Sequence, residues 1–386
     1  MGTKKLNAGI YIHIPFCVKK CAYCDFPSFP ANEEMKHRYV SALIYEIEHR
    51  RWPYEIENIP TIFIGGGTPS SLSVDELGRL IRAVKRTYHV LPNAEFTMEV
   101  NPKTVDKEKL IAIRQLGVNR LSIGLQSTID EELRLLGRIH SFEDFLKTYD
   151  DAREAGFTNI NFDIIYALPG QGLLSLEKTL RRVTELRPEH ISAYSLIIEE
   201  GTRFYTLYGD DEKRRQKGER PIALPTEETE RAMDRLTKEI LEEAGYHRYE
   251  ISNYARDGFE CEHNKVYWTR GSYIGFGISA ASLIGDIRCN NGLDMARYIE
   301  HGPDFEEHML TRKEEVEEFM FLGLRMDRGI SKKKFEKDLN IPYNDVYRET
   351  TDALIRDGLI EEDDDYIRLT EHGRDISNHV LAEFLI

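Results

Sequence analysis

Strand-like and helix-like apolar patterns alternate over the first two hundred residues. Strand-like runs begin with GIYIHIP at Gly9 and continue at residues 61–64, 95–100, 120–125, 159–165 and 190–197. Between them, apolar residues recur every three or four positions over residues 32–50, 74–88, 106–116, 142–155 and 176–186. Such alternation is typical of βαβ units, whose parallel strands are joined by helical crossovers. The pattern predicts an α/β fold whose sheet either curls into a full or partial barrel or stays open and doubly wound.

The pattern changes after about residue 200. Residues 201–225 are polar, highly charged and interrupted by Gly and Pro, which predicts a linker or long loop. A helix is predicted over residues 226–244, and residues 246–294 are rich in aromatic residues and glycines without a clear period. From about residue 312, three helical runs precede two short strands around an acidic turn, an order that resembles a winged helix.

These changes divide the chain into three predicted parts. They are a core of residues 1–225, a connecting region of residues 226–311, and a small α+β, winged-helix-like C-terminal domain of residues 312–386. The last part holds 12 basic and 19 acidic residues, and five consecutive acidic residues stand at the tip of the expected wing. Because a wing that reads DNA would not carry this charge, we expect a structural or protein-binding domain.

Composition and charge narrow the range of partners. The chain of 386 residues is 41% hydrophobic, and its net charge of −15 disfavours non-specific nucleic-acid binding, which depends on Lys and Arg. No apolar run approaches the roughly 18 residues of a membrane span, and the N-terminus lacks the features of a secretory signal. We expect a cytoplasmic protein that binds a small molecule or a protein, and peripheral membrane contact stays open.

Three of the five cysteines lie close together in CVKKCAYC, at Cys17, Cys21 and Cys24. An odd number of cysteines does not indicate a disulfide framework. Three thiolates supply one ligand too few for a closed zinc site. An iron–sulfur cluster held by three cysteines leaves one iron open to an outside ligand. The spacing favours such a cluster, and buried thiols or a zinc site are the alternative.

Polar residues and glycines follow several of the predicted strands. GGGTPS places three glycines at residues 65–67, where the backbone can approach a ligand closely. Glu99, Gln126 and Asp163 stand at or near the ends of later strands. Each could also be part of an ordinary turn or a helix cap. Because the carboxyl ends of parallel strands meet at one face, together they predict a ligand site there.

The segment YIHIPFCVKKCAYC resembles the radical S-adenosylmethionine (SAM) proteins, in which the open iron of a [4Fe-4S] cluster binds SAM. Tyr23, just before the last cysteine, is part of that pattern. The resemblance is closer to the subfamily that contains oxygen-independent coproporphyrinogen III dehydrogenase and haem chaperones. It covers nearly the whole chain, in YIHIPFC, GGGTPS, EVNP, SIGLQS, LGRIH, DIIYALPG and HNKVYW. It implies a partial parallel (β/α) barrel with the cluster at the face where the strands end.

The resemblance also implies which residues line a SAM pocket. The matching positions are Tyr11, Gly66, Gly67, Thr68, Glu99, Gln126, Arg138 and Asp163. Their chemistry suits that role, because Glu99 can accept from the methionine ammonium and Arg138 can pair with a carboxylate. Asp163 or Gln126 can bind ribose hydroxyls or a second ligand.

Two departures separate this sequence from the dehydrogenase pattern. The dehydrogenase has a further cysteine two positions after the cluster cysteines, where this chain has CDF with Asp25 and Phe26. The dehydrogenase also has an N-terminal arm before its first strand, whereas here that strand begins by Ile10. Both departures match the haem chaperones.

A third feature is CEHNKVYW, whose HNxxYW pattern looks like that of the haem chaperones. In those proteins the histidine is a proposed haem ligand, so the resemblance implies that His263 binds haem iron, with Tyr267 and Trp268 as flat apolar surface. A histidine satisfied inside the core is the alternative. Cys261 is a weaker candidate ligand.

These features imply a haem chaperone that binds haem and passes it to an acceptor protein not identified by the sequence. The implied cofactors are a [4Fe-4S] cluster, SAM and haem, and a homodimer is one expected state. One alternative is the dehydrogenase, which converts coproporphyrinogen III propionates to vinyls by radical oxidative decarboxylation. Another is a radical SAM enzyme acting on RNA, which the charge of −15 disfavours. Whether SAM is turned over stays open.

Overall fold

The computed structural model describes residues 5–386. The strands are β1 (Lys5–Asn7), β2 (Gly9–Ile14), β3 (Glu55–Gly66), β4 (Val90–Val100), β5 (Arg120–Gln126), β6 (Ile160–Tyr166), β7 (His190–Ser195), β8 (His247–Glu250), β9 (Asn253–Ala255), β10 (Tyr273–Phe276), β11 (Ala281–Ile284), β12 (Ile287–Asn291), β13 (Phe305–Met309), β14 (Ile330–Ser331), β15 (Ile360–Glu362) and β16 (Tyr366–Leu369). The α-helices are α1 (Glu33–His49), α2 (Val74–Thr87), α3 (Lys107–Leu116), α4 (Asp130–Leu135), α5 (Phe142–Glu154), α6 (Leu173–Leu186), α7 (Arg203–Gln216), α8 (Glu227–Glu243), α9 (Glu262–Trp268), α10 (Met295–His301), α11 (Arg312–Gly323), α12 (Lys332–Leu339), α13 (Tyr343–Arg356), α14 (Glu371–Asp375) and α15 (Ser377–Ala382).

A large sheet forms the centre of the molecule, in the order β13-β12-β11-β10-β2-β3-β4-β5-β6-β7-β9-β8, and β1 pairs with β3. The strands from β10 through β2 to β7 are parallel, and the strands beyond them at either end are antiparallel. Within the described residues β7 does not pair with β10, so the barrel is partial. The predicted α/β class with a partial parallel barrel is confirmed.

Strand β5 shows how the sequence assigns its two faces. Leu121, Ile123 and Leu125 are fully buried in the core beneath the helices. The alternate residues Ser122 and Gln126 line a cavity inside the curve of the sheet. Because successive side chains of a strand point to opposite faces, one short segment serves both the core and the site.

The helices follow the predicted pattern, and α2 is a representative case. Ser73 caps its first turn by accepting from the backbone N–H of Glu76. Leu77, Leu80 and Val84 recur at helical spacing and are buried against the sheet. Burying such side chains contributes about 1.5–3 kcal/mol each, which exceeds the contribution of the cap.

The predicted loop over residues 201–225 is wrong for most of its length, because α7 occupies residues Arg203–Gln216. Thr202 caps this helix by accepting from the N–H of Tyr205, and Phe204 is buried. Three basic residues in the last turn, Lys213, Arg214 and Arg215, face the negative end of the helix dipole. The charge that suggested a loop belongs to a capped surface helix.

Residues 226–311 add strands to both ends of the same sheet. Strands β8 and β9 extend it beyond β7, and β10 lies parallel to β2 at the other end of the parallel strands. Residue 225 therefore does not separate two sheets, and the three-part division stays a prediction.

The C-terminal segment forms a small α+β domain, as predicted. Its elements follow the order α11, β14, α12, α13, β15 and β16, and its sheet has the order β14-β16-β15. A separate core includes Phe319, Phe335 and Tyr347. None of the helices found in residues 5–386 combines the length and apolar character needed to cross a bilayer.

The two cores meet along a short backbone contact. Met326 forms an isolated β-bridge with Glu250, and the N–H of Asp327 donates to the carbonyl of Tyr249 at 2.9 Å. The carboxylate of Asp327 also pairs with Arg248 of β8 at 3.3 Å. These contacts fix the C-terminal domain against β8.

Candidate functional site

A cavity of about 590 Å³ opens at the carboxyl ends of the parallel strands, a size within the usual range of ligand pockets. It is lined by most of the residues predicted from the sequence, namely Cys17, Cys21, Tyr23, Cys24, Gly66, Gly67, Thr68, Glu99, Gln126, Arg138 and Asp163. The structure thus brings together side chains from six separate segments of the chain.

The cysteine loop, residues 15–30, is held at its base and at its tip. At the base, the N–H of Cys17 donates to the carbonyl of Phe29, and the N–H of Phe29 donates to the carbonyl of Pro15. At the tip, Ala22 donates to Leu136 and accepts from Phe204, both through the backbone. Because the loop is anchored at its base and at its tip, the three thiols have a defined position.

The glycine turn after β3 packs directly on the base of the cysteine loop. The N–H of Gly67 donates to the carbonyl of Ile14 at 2.8 Å. A Cβ atom on Gly67 would lie 2.8 Å from the Phe16 carbonyl oxygen and 3.0 Å from that of Ile14. Gly66 has φ +109°, and a Cβ there would lie 2.5 Å from the ring of His13. Only glycine fits these two positions.

The donor set fits an iron–sulfur cluster. All three thiols are half-buried at the cavity, and burial together with the neighbouring Cys21 and Cys17 raises the pKa of Cys24 to about 11. Such thiols become ligands when a metal displaces their protons. Among residues 5–386, no three Cys, His, Asp or Glu side chains are arranged around a single-ion position. Three thiolates are one ligand too few for a closed zinc site, whereas a [4Fe-4S] cluster held by three cysteines keeps one iron open.

Two half-buried carboxyl groups, those of Glu99 and Asp163, line the cavity. Burial, and secondarily the nearby Asp163, raise the pKa of Glu99 to about 8. The N–H of Gly66 donates to Glu99 Oε2 at 3.0 Å and opposes that shift. Burial also raises the pKa of Asp163, whose oxygens accept from Ser122 and Asn161. A bound group that donates N–H or O–H bonds would stabilise both as carboxylates.

Arg138 belongs to a hydrogen-bond network that reaches the cysteine loop. Its Nη2 donates to Asn101 Oδ1 at 2.5 Å, and its Nη1 lies 3.6 Å from the Cys21 sulfur. Asn101 Nδ2 donates to Thr68 Oγ1 at 2.8 Å, and that hydroxyl lies 3.4 Å from the Cys17 sulfur. The sequence reasoning missed Asn101 as a site residue, although it stands in the EVNP segment two positions after Glu99.

Gln126 occupies a strained backbone position. Its φ of +71° is in the left-handed region, which residues other than glycine rarely adopt, and the β5–β6 pairing is irregular between Gly124 and Gln126. Such strain persists where the surrounding structure fixes it, often at a binding site. The irregularity ends the regular ladder at the cavity, where Gln126 is one of the lining residues.

Tyr11 is the one predicted SAM-pocket residue that is not among the residues lining the cavity. Its hydroxyl lies 3.1 Å from His13 Nδ1, and His13 Nε2 lies 3.1 Å from the carbonyl oxygen of Pro27. Since a carbonyl only accepts, His13 donates from Nε2 and accepts from Tyr11. Tyr11 therefore contacts a histidine that supports the cysteine loop.

His263 is completely enclosed within the described structure. Its Nδ1 lies 2.9 Å from Thr61 Oγ1, and its Nε2 lies 2.9 Å from the Tyr267 hydroxyl. Only 1% of the residue is exposed, and burial, followed by Arg120, lowers its pKa to about 3. In this conformation neither ring nitrogen is free, so binding of haem iron by His263 would require one of these bonds to open.

Cys261 is equally enclosed. It is fully buried, its thiol lies 3.4 Å from Glu95 Oε1, and burial is the main cause that raises its pKa to about 12. The N–H groups of Glu262 and His263 also donate to the Glu95 carboxylate. Glu95 thus fixes the start of α9 against β4. It lies nearer the amino end of β4 than Glu99 does.

The chain has close relatives among known proteins. Residues 11–183 match the model of the radical SAM superfamily, and residues 310–376 match that of the HemN C-terminal domain. The heme chaperone HemW of Bacillus subtilis is 38% identical over 381 residues, covering 97% of this chain and 98% of the relative. HemW of Escherichia coli is 35% identical and covers 97% of each chain. The structure of coproporphyrinogen III oxidase (HemN) from Escherichia coli matches with a TM-score of 0.82 and 26% identity, covering 99% of this chain and 90% of HemN.

A partial parallel barrel with three cysteines at its carboxyl face, together with these matches, places the chain in the radical SAM superfamily. Within that superfamily it belongs to the family whose members are named heme chaperone HemW. The family resemblance predicted from the sequence is confirmed.

Replacing Glu99 should change how stability depends on pH. The pKa of Glu99 is about 8 in the folded chain, against an ordinary value of 4.5, so the unfolded chain binds fewer protons between these values. Wild-type stability should therefore fall relative to Glu99→Gln as the pH rises from about 5 to about 8, on the order of a few kcal/mol. Thermal unfolding of the SAM-free protein measures this difference. Parallel curves for the two proteins would contradict the assignment.

Removing the His263 ring should destabilise the fold. The variant His263→Ala leaves the hydroxyls of Thr61 and Tyr267 without their partner, at a cost of about 2–5 kcal/mol in unfolding free energy. Denaturant unfolding measures the loss, and His301→Ala at an exposed position is the matched control. An unfolding free energy equal to that of the wild type would show that the enclosed position of His263 is wrong.

Proposed function

We propose that this protein binds haem and delivers it to an acceptor protein in the cytoplasm, and that it carries a [4Fe-4S] cluster and SAM in the 590 Å³ cavity. The observation that carries the cofactor assignment is the convergence of three half-buried thiols with Glu99 and Arg138 at one face of the sheet. The haem assignment is supported by the names of the relatives, which cover 97% of this chain at up to 38% identity.

The residues of this cavity have distinct roles in the proposal. Cys17, Cys21 and Cys24 hold the cluster, and together the cluster and SAM supply one-electron chemistry when bound. Glu99 accepts a hydrogen bond from the amino group of SAM. Arg138 lies next to Cys21 of the cysteine loop, where it can pair with the carboxylate of SAM.

The remaining polar residues of the cavity suit the rest of the SAM molecule. Asp163 and Gln126 accept or donate at its hydroxyl groups, and Gly66 and Gly67 allow the backbone to approach it. The aromatic side chain of Tyr23, held close to Phe204, forms an apolar part of the wall.

Coproporphyrinogen dehydrogenation is the second candidate, because the whole chain superposes on HemN with a TM-score of 0.82. The composition of the cavity argues against it. Asp25 and Phe26 are lining residues where the dehydrogenase pattern has its additional cysteine. A carboxylate and an exposed aromatic ring cannot replace a thiol in redox or ligand chemistry.

Anaerobic reconstitution tests the cluster assignment. The wild type should take up about four irons per chain with broad visible absorption, because three cysteines suffice to hold a cubane with one open iron. Cys24→Ala should lose this absorption. Cys289→Ala should keep it, because that cysteine lies on β12 against Arg50, away from the cavity. Binding of one zinc with no uptake of iron would contradict the assignment.

A two-part assay tests the function. The reduced, cluster-loaded protein should bind hemin and release it to an apoprotein acceptor such as apomyoglobin. The same preparation, given SAM and coproporphyrinogen III, should form no vinyl product at catalytic turnover. Turnover would establish the dehydrogenase instead, and failure to bind hemin would refute the haem-delivery proposal.

A further inference from the structure

A second cavity, of about 440 Å³, lies between the core and the C-terminal domain. Its walls come from β8, from α9, from the end of α11 and the segment that follows it, and from β16. It is separate from the cysteine-lined cavity, and the two share no lining residue. None of the cofactor residues discussed above reaches it.

Four aromatic side chains stand among the residues that line this second cavity. They are contributed by both parts of the molecule, in Tyr249, Trp268, Phe319 and Tyr366. Trp268 is half-buried, and the guanidinium of Arg325 lies 4.6 Å from the centre of its ring. Four aromatic residues around one cavity favour a large planar ligand.

The charges around the second cavity leave one cation without a partner. Glu260 pairs with Lys265 at 2.7 Å, and Asp327 pairs with Arg248 and Arg374. Arg328 instead lies 4.3 Å from the centre of the Tyr366 ring, and among residues 5–386 no carboxylate is within ion-pair distance of it. In a chain of net charge −15, an unpaired arginine at an aromatic cavity favours an anionic ligand.

The HNKVYW segment contributes to the wall of this cavity, but not through the histidine that was predicted to bind iron. Lys265 and Trp268 are lining residues, whereas His263 lies on the side of α9 that faces β3. One helix turn separates His263 from Tyr267, its hydrogen-bond partner, and Trp268 follows directly. The segment therefore uses its histidine to attach α9 to the sheet and its tryptophan to build the cavity wall.

We propose that this interdomain cavity is where the protein holds haem, with the tetrapyrrole against the aromatic wall and a propionate paired with Arg328. The inference rests on the proposed function and deepens it by naming the site. A porphyrin combines a large planar apolar face with acidic groups at one edge, which matches the two properties of this cavity.

His247 is the histidine among the lining residues, and it can supply a nitrogen to the iron at small cost. Its Nδ1 lies 3.3 Å from the carboxylate of Asp257, a residue that is fully exposed. Exposed ion pairs contribute little, so this contact is readily exchanged. Its Nε2 lies 3.0 Å from Glu260, and a carboxylate on the second nitrogen is the usual arrangement for a metal-bound histidine.

Titration of the full-length, cluster-loaded protein with hemin and with metal-free protoporphyrin IX tests the site. Arg328→Glu should weaken the affinity for both by about tenfold, because it replaces a charge-assisted hydrogen bond with repulsion. Thr269→Trp, at an exposed lining position, should also weaken both by filling the cavity. Arg356→Glu, with the same charge change at an exposed position of the same domain, should bind like the wild type.

A fourth variant tests the iron ligand. His247→Ala should shift the Soret band of bound hemin and leave the affinity for protoporphyrin IX unchanged. An unshifted band would remove His247 from the proposal.

The outcomes separate the site from the function. If the wild type binds hemin and both Arg328→Glu and Thr269→Trp bind it equally well, the interdomain site is refuted while haem binding stands. If the wild type binds no hemin, the proposed function itself fails. Unchanged iron content and thermal unfolding of the variants would show that a weakened affinity is local to the cavity.

Discussion

The cofactor site depends on one close backbone approach, between the glycine turn after β3 and the base of the cysteine loop. A side chain at Gly67 would collide with the backbone of Phe16, and one at Gly66 would collide with the ring of His13. Because the two segments touch without side chains between them, the parallel pairing of β2 with β3 directly sets where the thiols lie. The same turn donates from Gly66 to Glu99, so the loop and the carboxyl group are fixed by one piece of backbone.

The inner face of the sheet is polar, and its buried groups satisfy one another in a directed chain. The Tyr249 hydroxyl lies 2.9 Å from His190 Nε2, His190 Nδ1 lies 2.6 Å from Asn161 Oδ1, and Asn161 Nδ2 donates to Asp163 at 2.7 Å. Since the asparagine oxygen only accepts, His190 donates from Nδ1 and accepts from Tyr249. Every bond then points toward the Asp163 carboxylate, an arrangement in which successive bonds strengthen one another. The chain runs from a lining residue of one cavity to a lining residue of the other.

The local pattern of apolar and polar residues predicted the repeating βα part of the fold. It failed where contacts between distant segments determine the structure. The βα units and the C-terminal domain were predicted because the apolar period is visible in the sequence. Cysteine spacing and strand ends indicated part of the cysteine-lined cavity, and Tyr23, Thr68 and Arg138 came from the family resemblance alone. Helix α7 was missed because its charged surface resembles a loop, and Asn101 because an asparagine after a strand resembles an ordinary turn. The enclosed state of His263 depends on Thr61, some two hundred residues away, and no local pattern reports such a contact.

The proposed interdomain site separates the haem from the cluster within one chain. The most direct test is hemin titration of a variant in which Cys17, Cys21 and Cys24 are all alanine, compared with the reconstituted wild type. We expect this cluster-free protein to bind hemin with the same stoichiometry and the same Soret band as the wild type. Loss of hemin binding from a variant that still unfolds cooperatively would show that haem binding depends on the cluster site, and separate sites would then be refuted.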